Sequence, residues 1–281
     1  MTPDDLHELY NNSNINININ NEYYLNYDGD KISYNNLLNN YLYKEFNNFI
    51  SSEYFYNGLN NINCLDNVCS FDLSYHYKGE NKTLSFSNVT INLEGLYIKN
   101  SSTLYKNELF MLDYFNLTNV LEEDITIIYD QNYIQDNLDG TYTSLKSGKT
   151  EITLTGGGYT TTKTVYIKYA YEEDNEFLNY YNNYDVTLPY NELSFINYQN
   201  LDLLTSLVKN KIIMDCPNEE IRDMLTPEVY CFSSKNCQVK INATIDNQLL
   251  IGSYDYKTVN INYQGYDQET IDKINNIDKE I

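Results

Sequence analysis

Short runs of alternating apolar and polar residues, each closed by a turn signal, constrain this chain more than any other feature. Ser70–Gly79 places Phe71, Leu73, Tyr75 and Tyr77 at every second position. A polar turn at residues 79–82 follows. Leu84 and Phe86 then alternate in one phase, and Val89, Ile91 and Leu93 in the other, which predicts a bulge near Ser87 and Asn88. Ile125, Ile127 and Tyr129 alternate further along, as do Ile152 with Leu154 and Val165 with Ile167. Turns are marked by Asp139–Gly140, by Ser147–Gly148–Lys149 and by Gly156–Gly157–Gly158. A period of two buries one face of an extended strand. Turn signals about every 8–12 residues predict an all-β sandwich or barrel. Composition agrees. Asn is the most frequent residue, and it favours turns over helices. The 31 Tyr, against no Trp, suit strands whose hydroxyls stay wet. Asn, Ile, Tyr and Lys share AT-rich codons, so the excess of Asn reads first as genome bias.

With 281 residues the chain is long enough for two or three domains of about 100–150 residues. Sandwiches of about 75–100 residues favour three, and the turn pattern places them at 26–95, 96–170 and 184–265. Residues 1–25 read as a lead-in. Within it, Asn and Ile alternate from Asn14 to Asn20, which suits either a strand with one apolar face or a tethered linker. Residues 171–183 read as a linker or short connecting helix, and 266–281 as a tail or the start of a further unit of a longer exported protein. Residues 32–50 leave helix and strand open, and so do residues 201–210. A single short helix is expected near 217–224, with Pro217 at its first position and Glu219 and Glu220 in its first turn. Two segments repeat one pattern: Cys64–Gly95 and Cys231–Gly265 each carry two close cysteines, a strand, a polar turn and a closing strand that ends in Gly. From second cysteine to Gly is 26 residues in one and 28 in the other.

The middle unit carries a family resemblance. Residues 136–169 hold Gly140, Leu145, Gly148, Thr150, Ile152, Val165 and Ile167 in an order that resembles the second half of the bacterial immunoglobulin-like group 2 domain. The resemblance covers about a quarter of the chain; the flanking units join it only by internal similarity. It implies an immunoglobulin-like sandwich and, as in that family, a stalk or adhesion module of a surface or secreted protein. The cysteine pairs are not part of the family pattern. The expected fold is therefore all-β: about three immunoglobulin-like sandwiches in tandem.

The five cysteines split into two close pairs, Cys64 with Cys69 and Cys231 with Cys237, plus Cys216. Pairs so spaced close small loops as disulfides in an exported protein, each worth on the order of 2–3 kcal/mol; five reduced thiols in a cytosolic protein are the alternative. Zinc is disfavoured, because the two histidines, His7 and His76, lie away from both pairs. Asp28 with Asp30, Asp136 with Asp139, and the acids of 172–176 offer hard oxygen ligands for structural calcium, although turn chemistry accounts for the same residues. No cofactor is otherwise expected. Sequons at Asn11, Asn81, Asn88, Asn100, Asn116 and Asn242 matter only in a eukaryotic source.

A net charge of −22, from 40 acids against 18 bases, repels nucleic-acid phosphates and anionic membranes. No apolar run of about 18 residues spans a bilayer. The sequence lacks a nucleophile elbow, a phosphate loop and a zinc-protease motif, and in a chain this acidic no carboxylate pair stands out. The expected role is a non-enzymatic stalk or adhesion segment at the cell surface or outside it, whose partners are the neighbouring domains of its own chain. The alternative is a binding module for a glycan or a protein, working through an exposed sheet face rich in Tyr; Tyr23–Tyr24 and Tyr180–Tyr181 are the conspicuous pairs. A stalk scatters its Tyr singly, whereas a binder gathers several into one patch.

Overall fold

A computed structural model describes residues 1–29, 31–189, 201–233 and 235–264. It is dominated by β-strands arranged in several sheets. The chain divides into two compact units. The first holds Met1–Asn100, Leu112–Tyr129 and Glu151–Lys163; the second holds Ser101–Met111, Asp130–Thr150 and the chain from Thr164 onward.

In the first unit, helix α1 (Pro3–Tyr10) starts at a capping box. The Asp5 amide donates to Thr2 Oγ1 at 3.3 Å, and the Thr2 amide donates to Asp5 Oδ2 at 2.7 Å. Strand β1 (Asn14–Ile19) follows, then a small hairpin of β2 (Asn26–Asp28) and β3 (Lys31–Ser33). Helix α2 (Tyr34–Phe49) buries Leu37, Leu38, Leu42 and Phe46 along one face. That spacing settles the open reading of residues 32–50, since a helical period aligns these four and a strand period does not. Three long strands, β4 (Tyr54–Leu65), β5 (Val68–Tyr77) and β6 (Glu80–Ile98), form an antiparallel meander, and β1 pairs parallel to β6. The sheet order is β1-β6-β5-β4. Its core joins Ile15, Ile17 and Ile19 to Phe71, Leu73, Val89 and Ile91, under the apolar face of α2.

Two sequence expectations meet this unit. Cys69 pairs with Val89 and Phe71 with Phe86, so β6 bulges where the phase slips, and Asn88 takes a positive φ of 52°. The lead-in is corrected: residues 1–25 supply α1 and the sheet's edge strand β1. The parallel approach of β1 depends on Gly95, which faces Ile19 at φ +121°; a Cβ there would lie 2.4 Å from the Ile19 carbonyl oxygen.

The middle segment runs through β7 (Thr103–Tyr105), β8 (Leu109–Met111), β9 (Tyr114–Asn116), β10 (Thr126–Tyr129), β11 (Ile134–Asp136), β12 (Thr141–Ser144), β13 (Gly148–Gly156) and β14 (Tyr159–Lys168). Strand β9 joins β6 in the first unit. The others are ordered β10-β13-β14-β7 and β11-β12-β8, with β7 parallel to β14. This is the immunoglobulin strand order: the sequentially distant pairs β7 with β14, β10 with β13 and β8 with β12 are joined, while the chain crosses between the two sheets after β7, β10 and β12.

In the second unit, helix α3 (Tyr171–Asn182) leads into β15 (Val186–Pro189). Helix α4 (Leu201–Met214) buries Leu204, Val208 and Ile212 at a spacing of four, and the four-residue α5 (Glu219–Arg222) starts at Asn218. Then come β16 (Glu228–Cys231), β17 (Asn236–Lys240), the hairpin β18 (Asn242–Ile245) with β19 (Gln248–Gly252), and β20 (Lys257–Gln264). The sheet order is β15-β20-β17-β16, with β15 parallel to β20. Helix, strand, helix and meander thus follow the same order as in the first unit. The short helix expected near 217–224 is α5, but helices are more numerous than expected. Asn-rich segments still form them where three or four apolar residues at helical spacing reach a core, because tertiary burial outweighs weak propensity. The tail at 266–281 lies outside the described residues.

Candidate functional site

The cysteines sit at matching places. Cys64 and Cys69 face each other across the β4–β5 turn and are bonded, with S–S 2.11 Å. Cys231 and Cys237 face each other across the β16–β17 turn and are bonded, with S–S 2.01 Å. Alternation places the second cysteine of each pair in the core: Cys69 and Cys237 are fully buried. Cys216 is free and buried, and its thiol donates to the Asn218 carbonyl. The carbonyl of Cys216 receives the Arg222 guanidinium at 2.8 Å, so this residue pins the α4–α5 turn.

The calcium candidates are not brought together. Asp136 accepts the Leu138 amide at 2.7 Å, and Asp139 accepts both the amide and the hydroxyl of Thr141, at 2.9 and 2.6 Å. Those bonds hold the Asp139 carboxyl below the usual carboxylate range. Each aspartate therefore closes its own turn. Asp28 lies in β2, and Asp30 is outside the described residues. No group of three or more metal-ligating side chains occurs among the described residues.

Among the motif residues of the middle segment, Ile152, Val165 and Ile167 are core residues, and Thr150 is buried beside them in sequence. Gly140 supplies a positive φ of 86° at its turn. Gly148 has φ +141°, and the Tyr133 ring packs 3.0 Å from where a Cβ would stand. Leu145 is more than one-third exposed; its backbone amide, donating to the Tyr133 carbonyl at 2.7 Å, is its main tie.

Three tyrosines spend their hydroxyls at the end of α4. Tyr180 donates to the Asp215 carbonyl at 2.8 Å and Tyr181 to the Ile212 carbonyl at 3.2 Å. Tyr184 donates to Asp215 Oδ2 at 2.6 Å, while Lys211 holds the other carboxylate oxygen at 2.6 Å. Tyr180 and Tyr181 thus satisfy orphan carbonyls at the end of α4, while Tyr184 and Lys211 hold the Asp215 carboxylate. Burial pushes the Tyr184 phenol well above its ordinary range, and Asp215 adds to the shift. In the first unit, Tyr10 of α1 reaches Glu45 of α2 at 3.0 Å. The Tyr180–Tyr181 pair does not form an exposed platform: Tyr181 is buried, and both hydroxyls turn inward.

Two polar features of the first unit were not visible in the sequence. Asn21 accepts the Ile98 amide at 3.1 Å and donates to the Ile98 carbonyl at 3.0 Å, and the Thr161 hydroxyl donates to it at 2.9 Å. Lys163 donates to the carbonyls of Ile98 and Asn100 beside it, and its burial pushes the amine pKa down. This is a backbone-binding cluster with no carboxylate among those partners. A cleft of about 1100 Å³ opens between the start of α2 and the sheet, lined by Lys31, Tyr34, Asn63, Asn67, Asn92 and Glu94 among others. No nucleophile paired with a base lines either feature.

No family model matches the chain, and no curated protein matches it. Among solved structures it is similar to invasin, described as a bacterial integrin-binding protein, at 10% identity and a TM-score of 0.22, covering 75% of this chain and 52% of that one. Extracellular domains 3–5 of Drosophila OTK match at 8% identity and 0.22, over 71% and 72% of the two chains. A chimeric titin Z1Z2 tandem matches at 10% identity and 0.18, over 37% of this chain and 65% of its own. The chain spans less than two thirds of the titin tandem and about half of the invasin structure. The reading of the fold rests on its own strand order.

Proposed function

We propose that this chain is a non-enzymatic structural segment of an exported modular protein, of the stalk or adhesion kind, with a bacterial immunoglobulin-like group 2 module in the middle and two copies of one disulfide-bearing module on either side. The observation that carries this reading is the pair of disulfides at the same turn of two sheets with the same strand order. Disulfides persist in oxidising compartments, where a staple in each module limits its unfolding. Each flanking module closes its own core of helix and sheet, as a load-carrying segment requires. No helix among the described residues is long and apolar enough to cross a membrane.

Thiol counting on protein isolated from its source tests the reading. Labelling after denaturation without reductant is expected to find one thiol, Cys216. Five labelled thiols would remove the oxidising compartment and with it the surface assignment.

A further inference from the structure

The two flanking modules provide an internal comparison, because the register of each sheet aligns them residue by residue. Cys64 opposite Cys69 corresponds to Cys231 opposite Cys237. Three residues beyond the second cysteine, Asp72 corresponds to Lys240. In the first module the solvent face around Asp72 is a plain polar ladder: Asn61 Nδ2 and Ser85 Oγ each donate to the carboxylate at 2.6 Å. Next to it, Asn63 pairs with Ser70. These small side chains are enough to make the face.

The same places in the second module carry different chemistry. Lys240 Nζ lies 2.5 Å from Glu228 Oε1 and 5.3 Å above the ring of Tyr256, whose hydroxyl donates to Glu228 Oε2 at 2.5 Å. Tyr230 stands opposite Gln238 in place of Asn63 opposite Ser70. The rings of Tyr230 and Tyr256 are 5.9 Å apart, and they remain 59% and 44% exposed. The sheet's other face holds Val229, Val239 and Val259 in the core, so these rings contribute nothing to it. A cleft of about 440 Å³ begins at Glu228 and Lys240 and is walled by Lys209, Thr244, Asn247 and the exposed Tyr254. Its volume falls within the range of small-molecule sites.

Charge selects the ligand. The chain carries a net charge of −22, so a polyanion is repelled. The Glu228–Lys240 pair leaves the face itself balanced, so it offers a polycation nothing that the rest of the surface lacks. A balanced pair places an acceptor and a donor side by side, and adjacent hydroxyls complement both. Exposed tyrosine rings supply a flat amphipathic surface for C–H faces at low entropic cost. We propose that this face binds a neutral oligosaccharide, with sugar rings lying on the exposed faces of Tyr230 and Tyr256, which are tilted 50° to each other, vicinal hydroxyls held by Glu228 and Lys240, and the next residue entering the cleft toward Tyr254. The proposal does not depend on the structural role above, and either stands if the other fails.

The test uses the 281-residue chain and a panel of neutral hexasaccharides (maltohexaose, xylohexaose, mannohexaose and N-acetylchitohexaose), with hyaluronan hexasaccharide as the acidic control, read by calorimetry. Saturable binding to at least one neutral member is expected, weakened at least about tenfold by Y256A and by Y230A. N63A and S70A, at the matching face of the first module, leave it unchanged. Y230F keeps the ring and retains binding, which separates a lost platform from a misfolded variant; far-ultraviolet circular dichroism of each variant checks the fold. Absence of saturable binding across the neutral panel would overturn the proposal. So would binding confined to hyaluronan, or binding that survives both alanine variants.

Discussion

Ile17→Ala tests whether the Asn–Ile run near the start of the chain is a working strand. Ile17 is 1% exposed and stands in register with Leu93 in the parallel β1–β6 pair. The substitution removes three carbon groups, about 2.4 kcal/mol of transfer free energy at roughly 0.8 kcal/mol each. The cavity adds to this, because α2 and the sheet are fixed on either side and relax only partly; large-to-small changes of this type cost about 2–5 kcal/mol. We expect about 3 kcal/mol. Asn16→Ala is the control. Asn16 is exposed, and its side chain accepts one bond from Asn92 at 2.9 Å, so its loss costs under about 1 kcal/mol. Urea unfolding with an m-value of about 2 kcal/mol/M would move the midpoint of the first unit by roughly 1.5 M for Ile17→Ala. Because two units in one chain can melt separately, the shift is read from hydrogen exchange at β5 and β6 amides. If Ile17→Ala costs no more than Asn16→Ala, β1 is not packed, and the account of the first core is wrong.

Two further outcomes follow from the staples and the tyrosines. Replacing Cys231 and Cys237 together by Ser releases a short loop and is expected to cost about 2 kcal/mol; thermal melting should match that of the wild type under reductant at this hairpin, and an unchanged melting temperature would contradict the staple. Burial raises the phenols of Tyr10, Tyr56, Tyr169, Tyr181 and Tyr184 above their ordinary value. A folded-state pKa above the unfolded one favours the folded form below pH of about 10 and withdraws that stability as pH rises beyond it. Tyrosinate absorbance should therefore show a class of hydroxyls that ionises only as the chain unfolds; one smooth titration of all tyrosines near pH 10 would refute their burial.

Much of the strand content was legible because a period of two is a local property of the chain. The β5–β6 hairpin, the bulge at Asn88 and the turn at Asp139–Gly140 all follow from residues within a few positions of one another. The cysteine spacing likewise marked the ends of two hairpins. The helices were harder to read. Leu37, Leu38, Leu42 and Phe46 lie among Asn and Tyr, whose propensity points elsewhere, and only the sheet beneath α2 makes the helical stripe worth burying. The Tyr180–Tyr181 pair was hard to read for a related reason: whether a phenol stacks in water or caps a helix depends on which helix end lies across the core, as the end of α4 does for these two.

The sequence by itself determined the extended segments, their turns and the two close cysteine pairs, since each depends on backbone preferences and spacings within about ten residues. Tertiary structure alone decided that β1 returns parallel to β6 across more than seventy residues, with Gly95 admitting it. It also decided that Lys240, Glu228, Tyr230 and Tyr256 meet on one solvent face. Alternation fixes which side of its own strand a residue occupies, but not which strand will lie beside it; that choice belongs to the packing of the whole core.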